Sequence, residues 1–229
     1  MTRQSSSGNC SYCQGSYAKS AMARHLKACK ARQNEDESDA SSSSKGSAKR
    51  TILHLQVVGR DRPMYWMHIE IPADATLEDL DDFLRRTWLE CCGHLSCFEI
   101  AGETFDCESA EMGNESMNIS LGKVIGPKMV FEHTYDFGTS TELSLKVISA
   151  RQGLAQGKAV RIMARNDPPD IRCDVCGKPA VAVCCQCIDE GIGWVCEGCA
   201  EKHECGEDML LPVVNSPRMG MCGYTGDAY

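Results

Sequence analysis

The sequence lacks any apolar run of the roughly 20 residues that a membrane-spanning helix needs. Its first seven residues, Met-Thr-Arg-Gln-Ser-Ser-Ser, also lack the apolar stretch of a secretory signal peptide. These two absences predict a cytoplasmic protein that does not contact a membrane. In a reducing compartment the 16 cysteines are expected to act as metal-binding thiolates, and a disulfide framework is the alternative.

Common catalytic motifs are absent as well. The sequence contains no Gly-x-Gly-x-x-Gly, no P-loop and no Gly-x-Ser-x-Gly, so it shows none of the common motifs for nucleotide binding or serine hydrolase activity. Acidic residues are missing from residues 1–34, which carry six Lys or Arg, whereas residues 51–229 carry 15 basic and 28 acidic side chains. Any nucleic-acid contact is therefore expected near the N-terminus.

Paired cysteines dominate the C-terminal part of the chain. Three Cys-x2-Cys pairs begin at Cys173, Cys184 and Cys196, and each pair can direct two sulfurs at one ion. With His203 and Cys205 they make eight ligands, enough for two closed tetrahedral zinc sites. An interleaved cross-brace would place Cys173, Cys176, Cys196 and Cys199 on one ion and Cys184, Cys187, His203 and Cys205 on the other. Because the intervening loops are too short to bury a core, zinc should supply most of the folding free energy.

Two further cysteines leave alternatives for the ligands of the second of these sites. Cys185 could replace Cys184, and Cys222 could replace Cys205. The spacing of the pairs resembles the B-box and its RING-like relatives, which are protein-interaction modules. That resemblance implies a protein partner for this module, of unidentified nature.

A second pattern, Cys10-x2-Cys13-x11-His25-x3-Cys29, lies near the N-terminus. His25 and Cys29 are four residues apart and would share one face of a helix, closing a tetrahedral zinc site with the two cysteines. The spacing resembles the ββα zinc finger with Cys in place of the last His, and Tyr17 and Met22 stand near its usual core positions.

Basic residues lie on the predicted finger helix and just after it. Phosphate contacts are expected from four side chains, Lys19, Arg24, Lys27 and Lys30. The alternative is a solvated helix face without a partner. A single finger reads only about three base pairs, so binding should tolerate any sequence.

The predicted organisation has four parts. Residues 1–32 form the finger, 33–50 a disordered acidic and serine-rich linker, 51–166 a globular body and 167–223 the cross-brace module. The linker should leave the finger tethered to the body rather than packed against it.

The body should be an α+β domain. Residues 51–58 and 64–71 are predicted as strands of a hairpin, and a helix capped by Thr76 should run to about Glu90. A second hairpin is expected around Ala101-Gly102, and further strands are expected over residues 128–137 and 143–148.

Several segments of the body resemble the plasmid pRiA ORF-three-like family, also labelled the insertion-element passenger TnpR family. They are Met64-Tyr65-Trp66-Met67-His68, the helix to Trp88, the stretch from Gly93 to Phe98 and Tyr135-Asp136-Phe137-Gly138. The resemblance covers residues 51–150 and implies an antiparallel sheet with a covering helix, similar to a β-grasp. It implies little about activity.

These patterns favour a non-enzymatic zinc-binding adaptor. Its finger would contact nucleic acid and its C-terminal module a protein. One alternative is an enzyme acting at His94, His133 and Asp136, where histidines beside a carboxylate could transfer protons or bind a metal. The other is a structural zinc protein without nucleic-acid binding. Four cysteines, Cys91, Cys92, Cys97 and Cys107, show no paired spacing and are predicted to be packed thiols.

Overall fold

The computed structural model describes residues 6–42, 49–108, 113–154 and 160–226. Its strands are β1 Ser7–Cys10, β2 Ser16–Ala18, β3 Arg50–Gly59, β4 Trp66–Pro72, β5 Ser96–Ile100, β6 Glu103–Asp106, β7 Glu115–Ser116, β8 Val130–Tyr135, β9 Thr141–Gly153, β10 Arg161–Asn166, β11 Ala182–Cys184, β12 Trp194–Val195 and β13 Leu210–Pro212. Its α-helices are α1 Lys19–Ala28, α2 Lys30–Ser42, α3 Leu77–Leu84, α4 Leu121–Val124 and α5 Glu197–Ala200. Within the described ranges no helix is long and apolar enough to cross a membrane.

The chain divides into two compact units. The first comprises Met1–Phe83 and Leu95–Asp167, and the second comprises Leu84–His94 and Pro168–Tyr229. The second unit thus includes a segment, residues 84–94, that the sequence analysis assigned to the body. Part of that segment is a π-helix, Arg85–Leu89, which continues directly from α3.

A ten-stranded sheet organises the first unit, in the order β2-β1-β10-β4-β3-β9-β8-β5-β6-β7. Every neighbouring pair is antiparallel except β6 with β7. The fold is therefore mixed, with most of its structure in strands of one large sheet and few helices. The expected simple β-grasp-like sheet with one covering helix is wrong, because the finger's own strands extend the sheet and β7 adds a parallel pair.

Local signals of the body agree with the observed elements. Thr76 Oγ1 accepts from the Asp79 amide at 3.1 Å and Asp79 Oδ2 accepts from the Thr76 amide at 2.7 Å, so the predicted cap of α3 is present. Ala101 and Gly102 both have positive φ, 54° and 89°, as the tight turn between β5 and β6 requires. All seven residues of β4 are buried, so both faces of the sheet are covered there.

The finger is joined to this sheet by backbone hydrogen bonds, unlike the expected tether. β1 pairs antiparallel with β10, with Gly8 opposite Asn166 and Cys10 opposite Ala164. A Cβ on Gly8 would lie 2.3 Å from the carbonyl oxygen of Arg165, so this close approach requires glycine. The pairing satisfies the backbone hydrogen-bonding groups on the free edge of β10. It joins segments that are far apart in the chain, so amino-acid composition does not predict it.

The predicted linker is also different. Residues 33–42 belong to α2, while residues 43–48 lie outside the described part of the chain. Arg32 of α2 donates to Glu70 of β4 at 2.7 Å, and Arg151 of β9 pairs with both Glu70 and Asp36. The acidic residues that suggested disorder are thus partners of arginines, which explains an ordered helix here.

Candidate metal centres

In the part of the chain that the structure describes, four groups of Cys and His side chains could hold metal ions, since the four ligand atoms of each lie within 4.8 Å of one another. The groups are Cys10, Cys13, His25 and Cys29; Cys91, Cys92, His94 and Cys222; Cys173, Cys176, Cys196 and Cys199; and Cys184, Cys187, His203 and Cys205. Zinc–sulfur bonds of about 2.3 Å at tetrahedral angles place two sulfurs about 3.8 Å apart. Six sulfur pairs in these groups are 3.5 to 3.9 Å apart.

All 16 cysteines are free in the structure, so the alternative of a disulfide framework finds no support. Disulfide sulfurs would be about 2.05 Å apart, far closer than any of these pairs. Thirteen of the cysteines belong to the four groups. The other three are Cys97, Cys107 and Cys185.

The finger group is assembled by β1 and α1. Cys10 ends β1, and its Sγ lies 3.9 Å from that of Cys29 at the end of α1. Cys13 Sγ lies 3.4 Å from His25 Nε2, and the Tyr17 ring stacks on the imidazole with centroids 3.7 Å apart. Burial raises the pKa of the Cys10 thiol to about 11, so a thiolate there needs a cation beside it. Burial lowers the pKa of His25, which favours the neutral imidazole that binds metals.

A small apolar core holds α1 in place. Met22 and Leu26 are fully buried and cluster with Trp66 and Met163 of the sheet. The sequence analysis identified Met22 but missed its contacts with Trp66 and Met163, because these sheet residues come from distant parts of the chain. The finger therefore shares its core with the sheet rather than relying on its metal alone.

The four basic residues predicted to contact phosphate differ in their surroundings. Arg24, Lys27 and Lys30 are exposed, and their side chains form no hydrogen bond or ion pair with the part of the chain that the structure describes. Arg24 and Lys27 are three residues apart on α1 and therefore share a face. Lys19 is half-buried and donates from Nζ to the carbonyl of Pro63 at 3.0 Å, and burial lowers its pKa.

The all-cysteine group is built from two knuckles. Cys176 Sγ lies 3.5 Å from that of Cys196 and 3.7 Å from that of Cys199. Burial acts to raise the pKa of Cys173, but hydrogen bonds from the backbone amides of Cys196, Cys176 and Val175 outweigh it and lower that pKa to about 6. These amides favour the thiolate form of Cys173, which is the form that binds metal ions.

The second C-terminal group alternates in sequence with the first, in the predicted cross-brace order. Cys187 Sγ lies 3.6 Å from both His203 Nε2 and Cys205 Sγ. Burial acts to raise the pKa of Cys184, but backbone amides, with the side chain of His203, lower it to about 6. Neither of the alternative ligands lies in this group. Cys185 Sγ lies 3.7 Å from Met209 Sδ, and Cys222 belongs to another group.

The sequence analysis missed the group of Cys91, Cys92, His94 and Cys222. Cys92 Sγ lies 3.7 Å from the sulfurs of both Cys91 and Cys222. Cys91 and Cys92 are therefore not the packed thiols that the sequence predicted. His94 Nε2 lies 2.9 Å from Cys92 Sγ and 3.2 Å from Cys222 Sγ. The available signal was the short stretch Cys91-Cys92-Gly93-His94, which places three ligand-type side chains within four residues.

The residues of the alternative enzyme site have separate partners. His94 belongs to the group just described. His133 is buried, with Nε2 2.6 Å from Asp81 Oδ1 on α3. Asp136 has a positive φ of 67°, and its Oδ1 accepts from the amides of Gly138 and Thr139. In these arrangements His133 joins helix to sheet and Asp136 shapes a turn.

Comparisons with known proteins give little further information. No family model and no curated protein matches the chain. Among solved structures, the chain is similar to a protein of unknown function from Methanosarcina mazei Go1, at 18% sequence identity and a TM-score of 0.46. The match covers 52% of this chain and 70% of that one.

Proposed function

We propose that this protein is a zinc-binding adaptor that contacts nucleic acid through its finger and a protein partner through its C-terminal module. The carrying observation is that the finger group and the two cross-brace groups each bring four Cys or His ligand atoms within 4.8 Å of one another, as many as a closed tetrahedral site needs. Structural zinc sites are closed in this way, whereas catalytic sites keep a position for water or substrate.

Zinc is the metal that best fits these ligands. Sets of four thiolates, or three thiolates and an imidazole, suit zinc, while oxygen ligands would favour magnesium or calcium. An all-cysteine group by itself also suits iron. The finger group and the second C-terminal group each combine three cysteines with one histidine, a donor set typical of structural zinc sites.

The nucleic-acid role rests on Arg24, Lys27 and Lys30. Their exposed side chains, free of partners among the described residues, can neutralise phosphates without first breaking an ion pair. Lys19 is the weakest of the four predicted contacts, since it already donates to the Pro63 carbonyl. We expect contacts to the phosphate backbone and no reading of base sequence.

The test replaces Arg24, Lys27 and Lys30 with Gln together and measures binding to single- and double-stranded DNA and RNA at several salt concentrations. The matched control replaces three exposed lysines elsewhere, Lys123, Lys128 and Lys146, and removes the same charge. The finger triple variant should lose binding, and the control should retain the wild-type slope of affinity against salt. Equal affinities of the two triple variants would contradict the proposed contacts.

A protein partner is supported by exposed apolar residues on the acidic C-terminal module. Val175 and Ile192 are 73% and 50% exposed. Asp174 Oδ2 accepts from the amides of Gly193 and Trp194, which holds the two loops carrying these side chains beside each other. Exposed apolar side chains on a folded module favour an interaction surface. Replacing Val175 and Ile192 with Ser should abolish capture of the partner without changing zinc content.

A structural zinc protein is the second candidate. It is favoured by the pairing of β1 with β10 and by the core that the finger shares with Trp66 and Met163. On this account the finger zinc stabilises the edge of the sheet. Full zinc content with no nucleic-acid binding even at low salt would favour it over the adaptor.

A further inference from the structure

We infer that Cys91, Cys92, His94 and Cys222 form a fourth zinc site, and that its ion fastens the C-terminal segment 216–224 to residues 84–94. All four residues belong to the second compact unit. The site is independent of the proposed nucleic-acid and protein contacts, because none of their residues takes part in it.

The sulfur–sulfur separations fit a tetrahedral ion. Cys92 Sγ lies 3.7 Å from Cys91 Sγ and from Cys222 Sγ, close to the roughly 3.8 Å edge of a zinc–sulfur tetrahedron. His94 Nε2 is the fourth ligand atom, 2.9 and 3.2 Å from two of the sulfurs. These distances are shorter than the roughly 3.5 Å sulfur–nitrogen edge of a zinc tetrahedron, so binding of the ion requires a small outward shift of the imidazole. Three thiolates and one imidazole repeat the donor set of the finger group and of the second cross-brace group.

Hydrogen bonds hold the loop that carries three of these ligands. Arg85 donates from Nη2 to the carbonyl of His94 at 2.7 Å and from Nη1 to Glu90 Oε2 at 2.9 Å. Glu90 Oε1 in turn accepts from the amide of Gly93 at 2.5 Å, and Gly93 has the positive φ of 75° that this turn needs. The loop is therefore fixed by groups outside the ligand set, as supporting residues fix established metal sites.

The fourth ligand, Cys222, lies on a segment that is held in place by contacts outside the ligand set. Ser216 Oγ donates to the carbonyl of Trp88 at 2.6 Å, and residues 216–220 are all buried. Gly220 packs so closely that a Cβ there would lie 2.7 Å from Ile188 of the zinc module. An ion bound by Cys222 and by residues 91–94 would close a loop of about 130 residues, which restricts the unfolded chain as a disulfide does.

The site differs from the other three in exposure. Cys92 and Cys222 are exposed and Cys91 and His94 are half-buried, so the group has no fully buried ligand. Each of the other groups has at least one. Solvent and competing chelators can therefore reach this ion most readily, and it should leave first.

The first test is zinc content of the full-length protein and three variants, prepared under reducing conditions. Wild type should hold four zinc ions and Cys222→Ser three. Cys222→His supplies a different ligand and should restore the fourth ion. Cys185→Ser, which removes a cysteine outside all four groups, should keep four. Four ions in Cys222→Ser, or three in the wild type, would overturn the site.

A second test needs no variant and so is unaffected if Cys222→Ser fails to fold. Cys92, Cys222 and Cys107 are all exposed, but Cys107 lies outside the four groups. With zinc bound, an alkylating reagent followed by mass spectrometry should modify Cys107 much faster than Cys92 and Cys222. Adding a chelator should remove that difference. Equal rates before chelator would refute zinc at this site.

Discussion

Arg218 Nη2 lies 3.4 Å from Cys91 Sγ, and the Arg218 side chain is fully buried. Zinc with three thiolates and an imidazole carries a net charge of −1. A buried guanidinium beside one thiolate offsets that charge and donates to the sulfur, as the supporting residues of metal sites commonly do. Burial of a charged guanidinium costs free energy, and this contact offsets part of that cost.

Replacing Arg218 with Met should lower zinc affinity at the fourth site about 10- to 100-fold, because the side chain keeps its volume but loses its charge and its donor. Competition with a chelator of known affinity would measure the change. Arg172→Met removes an arginine whose side chain is 56% exposed and should leave all four affinities unchanged. Equal affinities in the two variants would show that Arg218 has no role at the ion.

Glu70→Gln should destabilise the first unit. Glu70 is buried and accepts from both Arg32 and Arg151, and each arginine keeps its charge when the carboxylate is lost. We expect the free energy of unfolding to fall by about 2–3 kcal/mol, measured by denaturant titration with zinc present. The control, Glu132→Gln, alters an exposed pair with Arg60 and should cost less than about 1 kcal/mol. A cost for Glu70→Gln no larger than that of the control would contradict this role.

Gly8→Ala should separate the finger from the sheet, because the added Cβ would lie 2.3 Å from the Arg165 carbonyl. Amide exchange should then show lost protection in β1 and β10, while the finger still binds its zinc ion. Gly126→Ala adds a Cβ into open space and serves as the control. If both variants keep wild-type protection, the β1–β10 pairing does not exist in solution.

Two buried histidines predict a pH dependence. His54 Nε2 lies 2.9 Å from His68 Nδ1, and burial lowers the pKa of His54 to about 4 and that of His68 to about 3. Unfolded histidines titrate near pH 6.5, so below that pH the unfolded chain binds protons that the native state does not. The free energy of unfolding should be fully maintained above pH 6.5 and decrease below it, by at most about 1.4 kcal/mol per pH unit for each histidine.

Nuclear magnetic resonance of the imidazoles would test this directly. Between pH 7.5 and 5 the resonances of His54 and His68 should stay constant, because neither ring gains a proton. Midpoints near pH 6.5 for either residue would mean that the pair is accessible to solvent.

Short-range patterns in the sequence identified most of the candidate ligands. Cys173 and Cys176 are three residues apart, and His25 and Cys29 are four apart, so local geometry alone directs each pair at one point. The cap at Thr76 and the turn at Ala101-Gly102 were predictable for the same reason, since turn and cap chemistry depend on adjacent residues.

Long-range relationships were beyond the same reasoning. Cys222 lies 128 residues from His94, and nothing local links it to the Cys91-Cys92 pair. Glu70 of β4 and Asp36 of α2 contact Arg151 of β9 only in the folded chain, so the segment around Asp36 looked like a disordered linker in the sequence. The edge that β10 offers to β1 is likewise created by the finished sheet.

The most direct measurement of the central claim is the metal content and coordination of the full-length protein. We predict four zinc ions per chain and, by X-ray absorption at the zinc edge, an average shell built from thirteen sulfur and three nitrogen ligands over the four ions, with no oxygen. Iron in place of zinc would contradict the assignment of the metal, and an oxygen ligand at a site would contradict coordination by the protein's cysteines and histidines alone.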